Sequence, residues 1–403
     1  MEKEILDKLV QAMDKIVLQF QEDNEIIFKD EKERKKIKYA LINELKNWER
    51  GGICIYGGCS EPSILRSHTI QKSASLKSIS EAGHTLSPLF HPDKEELCLE
   101  LIGDNDASTF PGFCDKHEKL FKDFESKKEL TEPEHFKLQL YRTVCREIIK
   151  KEAIVKHLEK RLNQYLEHRE KRLGELIQNE VGYNFLKENN IQFQSSRFKI
   201  PDLRKKMIDE ELKKAKNDLN KFLSSFKRKI IKDIRQQKDY RIYGKVWRLD
   251  FQVPVALAGR GNFHLMKDHK TQNVDVIINV LPFDSYTYVI TSGLAINKED
   301  IDYYLSHFGN PLHAINMIEA WMVHGSDHWF IKPSIWNKIK LSHQQKIFKD
   351  MFDKSRNIGQ PYELSIFNDA RRAVIESLKT NFDKLSDSQK EVIKAEESKL
   401  TDI

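Results

Sequence analysis

The apolar positions near the start of the chain recur in steps of three and four. Ile5, Leu9, Met13, Ile16 and Phe20 therefore share one face of a helix. A charged run from Lys29 to Lys38 follows, the pattern resumes over Tyr39–Trp48, and Gly51-Gly52 ends it. Residues 53–128 change character: short apolar pieces, paired turn signals, and one short helix expected from about Ser73 to Ala82. Helical steps then return in two long runs. The first takes in Tyr141, Val144, Ile148, Val155, Leu158, Leu162, Leu166, Leu173 and Leu176; the second takes in Leu203, Met207, Leu212, Ala215, Leu219, Phe222, Phe226, Ile230 and Ile234. Gly182, Asn189-Asn190 and Pro201 interrupt them, which predicts an antiparallel helical hairpin.

After Tyr240 the period shortens. Val246–Ala258, Val274–Leu281 and Tyr286–Leu294 are rich in β-branched and aromatic residues and read as strands. Gly259-Arg260-Gly261-Asn262 and Pro282–Ser285 read as the turns between them. Helices are expected over Lys298–Phe308 with Asn297 as N-cap, over Pro311–His324, over Ser342–Lys354, and at the terminus from about Ser365. Trp321, Trp329 and Trp336 are expected in an aromatic core. The fold class is α+β, in four segments: an N-terminal helical one (1–49), a turn-rich one (50–128), the helical hairpin (129–240) and a C-terminal antiparallel sheet with helices (241–403).

Composition narrows the class. With 39% hydrophobic residues the 403-residue chain can build real cores. No apolar run approaches the roughly 20 residues of a membrane span. The best candidate, around Val274–Phe283, is broken by Asp275, Asn279 and Pro282. The opening Met-Glu-Lys-Glu-Ile is too charged for a secretory signal, so a soluble, cytoplasmic protein without a membrane partner is expected. Net charge is +6, yet residues 151–240 hold 23 Lys and Arg against 14 Asp and Glu. That excess of nine belongs to the hairpin. Lys150, Lys151, Lys156, Lys160, Arg161, Arg169, Lys171 and Arg172, with Lys227, Arg228, Lys229, Lys232 and Arg235, could line a phosphate backbone of DNA or RNA. A solvated helical surface, or one that meets a protein partner or a second copy, accounts for the same residues.

Five cysteines are too few for a disulfide framework, but three lie close together. Cys54-Ile-Tyr-Gly-Gly-Cys59 is a thiol pair around a Gly-containing turn. Cys114-Asp-Lys-His117 precedes Leu120, Phe121 and Phe124, which puts its two side chains on the first turn of a helix. Knuckle, hairpin and helix start form the order of a treble-clef site for tetrahedral Zn2+, with Cys54, Cys59, Cys114 and His117 as ligands. The plainer alternative is a set of reduced cysteines with a surface histidine. Cys98 and Cys145 are read as core, His84 as a surface or capping residue, and His324 and His328 as structural or surface histidines.

Between the two pairs stands Arg66-Ser67-His68-Thr69-Ile70, and directly before Cys114 the stretch Gly103–Phe113. A treble clef with a histidine in its hairpin resembles the zinc-supported HNH, or ββα-metal, endonucleases. The strings SHTIQKSASL and GDNDASTFPGFCDKHEKLF further resemble bacterial proteins loosely associated with phage defence. The resemblance covers residues 50–128. It implies His68 as general base for attack on a phosphodiester and Glu118 as a ligand of a catalytic Mg2+ or Mn2+. Two positions depart from the family: Ser67 stands where an acidic ligand is usual, and Ser108 and Thr109 stand where an Asn is usual. Asp104, Asn105 and Asp106 lie near that position, and a carboxylate of Asp104 or Asp106 could replace the ligand. His68 as a hydrogen-bonding support of the zinc site, in a non-catalytic scaffold, is the rival reading.

Overall fold

A computed structural model describes residues 2–22, 32, 51–91, 96–188, 203–238, 241–267, 270–353, 355–380 and 382–401. The resumed helix expected over Tyr39–Trp48 and the hairpin breakers Asn189, Asn190 and Pro201 lie outside the described residues. The chain divides into two compact units, one of residues 1–48 and 150–219, the other of residues 49–149 and 220–403.

The smaller unit is helical. Helix Glu2–Glu22 buries Ala12 and Ile16 against Leu173, Ile177 and Val181 of the long helix Pro133–Val181. This is the face read from the three- and four-residue steps. Lys15 closes its edge on Glu180 at 2.8 Å. The same long helix runs beside helix Leu203–Asn217, and Val155 and Leu158 bury Ala215 between them. Ion pairs join Lys151 to Asp218, Glu159 to Lys216 and Arg161 to Glu211, so numbering rises on one helix as it falls on the other. The helices are antiparallel.

The larger unit holds two sheets. A two-stranded ribbon pairs β1 (Ser67–His68) with β4 (Thr109–Phe110). Between them in sequence, β2 (His84–His91) and β3 (Glu96–Gly103) form a hairpin that belongs to the other sheet. That sheet also takes β5 (Ile242–Leu249), β6 (Val255–Lys267), β7 (Lys270–Pro282), β8 (Thr287–Leu294) and β9 (Trp329–Ile331), in the order β3-β2-β9-β6-β7-β8-β5. Every pairing is antiparallel.

Alternation along the strands supplies two buried faces. Val255 and Leu257 of β6, with Val276, Ile278 and Val280 of β7, meet Leu305, Leu312, Ile318 and Trp321 of the C-terminal helices in the main core. The opposite face receives the start of helix Pro133–Val181: Gln139 and Thr143 both donate to Asn279 Oδ1, at 3.0 and 2.7 Å, and Phe136 meets Tyr288 edge-on. Trp321, Trp329 and Trp336 are buried in the core, as their clustering suggested.

Four expectations are corrected. The strand read over Val246–Ala258 is the end of β5 and the start of β6, separated by residues ending in Pro254, whose ring nitrogen cannot donate to a ladder. Gly259–Asn262 is not a turn but the middle of β6, paired residue for residue with β7. Its glycines mark close approach: an added Cβ would lie 2.0 Å from Ser326 Oγ at Gly259 and 2.6 Å from Ile358 Cδ1 at Gly261. Cys98 is half-buried on the edge strand β3 rather than enclosed. The terminal helix is two, Asn368–Lys379 and Asp387–Thr401.

Candidate metal centre

Local backbone bonding folds the first cysteine pair into a knuckle. Cys54 N donates to Glu61 O at 2.9 Å, and Cys59 N donates to Tyr56 O at 3.0 Å, closing a turn in which Gly58 takes φ +84°. Ile55 N and Ile64 N then donate to Gly112 O and Phe113 O, which lays the knuckle along the chain entering Cys114. Cys114 caps helix Asp115–Glu118 in an extended conformation, and its carbonyl accepts from His117 N and Glu118 N, both at 2.9 Å. One helical turn therefore brings the His117 ring beside the Cys114 thiol.

The four side chains converge. His117 Nδ1 is 3.2 Å from Cys114 Sγ and 3.5 Å from Cys54 Sγ, Cys59 Sγ is 3.9 Å from Cys114 Sγ, and no two of the four donor atoms are farther apart than 4.8 Å. The thiols are unbridged. Bond lengths of ~2.3 Å to sulfur and ~2.0 Å to nitrogen set donor separations of roughly 3.5–3.8 Å around a tetrahedral zinc ion. The donor set and its spacing thus fit, and the cluster could hold a metal ion such as zinc. Among the described residues it is the one group of three or more such side chains that converges in this way.

Electrostatics prepare the ligands unevenly. Burial pushes the Cys54 thiol up to about 11. Burial acts the same way on Cys114, but backbone N–H groups of His117 and Lys116 at the helix start, with the neighbouring thiols, outweigh it and hold Cys114 below its ordinary value. Burial, then the charges of Lys116 and Arg235, keep His117 below the usual imidazole range, in the neutral form that ligates.

A helix far along the chain braces the cluster. The Tyr56 ring stacks on His117 at 4.0 Å and 14°. Arg235 of helix Ser224–Gln236 lies 5.0 Å over Tyr56 and donates to its hydroxyl at 2.7 Å, while Lys227 donates to Ile55 O at 2.5 Å. The sequence held a sign of these cations in the basic run, but not of their target.

His68 lies on strand β1 and Glu118 on the short helix Asp115–Glu118. His68 sits in β1 opposite Thr109, half-buried, with Nδ1 3.0 Å from Ala107 O. A carbonyl can only accept, so Nδ1 carries the proton and Nε2 is left as a base. Burial holds His68 below the usual imidazole value; the Ala107 contact opposes this, and the charges of Arg142 and Lys72 add to it. Burial raises Glu118 against the opposing charge of Arg142 and a hydrogen bond from Ser67. One Glu118 oxygen, Oε1, lies 3.5 Å from Arg142 Nη2; the other, Oε2, is buried with no hydrogen-bond partner.

Arg142 belongs to no motif in the sequence. It is fully buried, bonds Glu125 at 2.6 Å and lies 4.1 Å over the Phe121 ring. Its signal was a charged residue on the apolar stripe of Leu138, Tyr141 and Cys145. The side chains near the family's Asn position have partners of their own: Asp104 Oδ2 accepts from Ser80 Oγ while its Oδ1 is buried without one, Asn105 accepts from Lys72, and Asp106 pairs with Arg66 at the surface. Cys145 is enclosed, and burial raises its thiol to about 12. His84 is exposed at the start of β2. His328 is buried and bonded to Ser108.

Protein-family models, curated proteins and solved structures yield no match to this chain. No helix among the described residues is long and apolar enough to cross a membrane.

Proposed function

We propose that residues 51–128 form a zinc-held treble clef carrying an HNH-like site, and that the protein hydrolyses phosphodiesters in nucleic acid. One observation carries the reading. The hairpin histidine donates Nδ1–H to the Ala107 carbonyl and keeps a neutral ring, so Nε2 can take a proton from water. The water oxygen then bonds to phosphorus, the bond from phosphorus to the departing sugar oxygen breaks, and that oxygen is protonated from solvent.

The carboxylate one residue beyond His117 lies on the same short helix, and its unpartnered Oε2 suits a cation ligand. Glu118 would hold Mg2+ or Mn2+, which when bound offsets charge on the phosphate. Zinc at Cys54, Cys59, Cys114 and His117 fixes the frame rather than the chemistry. Basic side chains of the two long helices supply salt-dependent affinity for the substrate backbone. The setting suggested by the resemblance is cytoplasmic defence against phage.

A second reading has its own observation. Arg142 already neutralises Glu118, and Ser67 occupies the position of the usual acid. The clef would then stiffen a scaffold that binds nucleic acid or a partner protein. Incubating wild type and His68→Ala with plasmid DNA and with RNA, plus Mg2+ or Mn2+, separates the two. Cleavage that the variant loses supports the nuclease; intact substrate throughout, from protein that carries zinc, supports the scaffold.

A further inference from the structure

The bond that fixes His68 does not end at Ala107. The next residue, Ser108, has φ +62°, a left-handed conformation uncommon for a residue with a Cβ. Three bonds hold it there. Ser108 O accepts from Thr69 N at 2.7 Å, Ser108 Oγ accepts from Ile70 N at 3.0 Å, and Ser108 Oγ lies 2.9 Å from His328 Nε2. The first two partners directly follow His68 in the chain. The third comes from the seven-stranded sheet, where His328 O accepts from Ala258 N and His328 N donates to Ser326 Oγ immediately before β9. Ser108 and His328 are both buried, so water competes little for their contact.

We infer that His328 is a positioning residue for His68. It anchors Ser108 to the sheet, Ser108 holds the left-handed turn, and that turn aims the Ala107 carbonyl at His68 Nδ1. Without the anchor, the carbonyl is free to rotate away, and the proton distributes between the two ring nitrogens. The chemistry resembles the support of a metal-ligating histidine by an outer hydrogen bond, where loss typically costs about 10–100-fold in activity. The inference rests on the proposed role of His68 but makes a claim about its tautomer that stands apart from cleavage.

Two readouts test it in the full-length chain loaded with zinc. Ring-nitrogen NMR shifts of isotope-labelled histidine, with His68 assigned by its His68→Gln variant, give the tautomer directly. In wild type, His68 should show a single tautomer protonated at Nδ1. His328→Ala and Ser108→Gly should both shift it toward a mixture, whereas His328→Gln, which keeps a side-chain hydrogen-bonding group, should restore it. Ser108→Gly separates the causes: glycine adopts the turn freely, so a wild-type tautomer there means that backbone conformation suffices and overturns the inference. An unchanged tautomer in folded, zinc-loaded His328→Ala overturns it as well. If the protein cleaves nucleic acid, kcat should fall at least about tenfold in His328→Ala with KM held. A tautomer that responds in a chain that cleaves nothing supports the positioning role while removing the nuclease reading.

Discussion

At the scale of single residues, spacing carried the metal cluster further than the rest of the site. Four residues chosen for thiol and imidazole chemistry, 63 positions apart at the extremes, meet with their donor atoms inside 4.8 Å. Cys114→Ser is accordingly expected to purify with its zinc content reduced from one equivalent toward none, by elemental analysis. Stoichiometric metal in that variant would rule out the cluster as the binding site. His68 gives a pH prediction. Under the proposed hydrolysis its neutral form is the active one, and burial lowers its pKa, so protonation sets in only below the ordinary imidazole value of about 6.5. If the protein cleaves nucleic acid as proposed, the acid limb of its pH profile should therefore lie below that value. A limb above it would place the titrating base elsewhere. Arg142 shows the limit of residue-level reading, since its partners Glu118 and Glu125 precede it on separate short helices.

At the scale of elements, helical periodicity was the most legible signal. Helix Glu2–Glu22 buries Ile16 as its steps require, and the antiparallel pairing of the long helices follows from three ion pairs. Glycine was ambiguous, because one residue type serves tight turns and close contacts alike. At Gly58 it makes a turn, whereas at Gly259 and Gly261 it lets neighbours reach a strand. Which use applies depends on atoms distant in sequence. The same holds for two cations of helix Ser224–Gln236: Arg235 reaches Tyr56 and Lys227 reaches the Ile55 carbonyl. Arg235→Ala should release zinc to a competing chelator about tenfold faster than wild type, read by an absorbing indicator. An unchanged release rate would reduce the Arg235–Tyr56–His117 stack to incidental contact.

At the scale of the molecule, the C-terminal helices are fastened by a buried ionic network. Arg371 bonds Glu319 Oε2 at 2.6 Å and also Glu396 and Asn316, while Glu319 Oε1 accepts from Ile366 N and Phe367 N. All three charged residues are enclosed, so every remaining lone pair matters. Arg371→Met leaves Glu319 buried without a cation and Glu396 with Lys399 alone, and should cost about 3–5 kcal/mol in urea unfolding. Adding Glu319→Leu and Glu396→Leu should recover much of that loss. A neutral single variant would show the network to be dispensable.

The sequence by itself determined the helices, because their period is written in consecutive residues. It also picked out the four side chains that converge where a metal ion could sit, because their chemistry and spacing leave few uses. Sheet order belonged to the tertiary structure alone. Nothing local says that β2 pairs with β9 across more than two hundred residues, or that the glycines of β6 face Ser326 and Ile358. Strand pairing and burial are set by which distant surfaces exclude water together, and only the folded chain brings those surfaces into contact. The hydrogen bond between His328 and Ser108, and through it the setting of His68, is of that second kind.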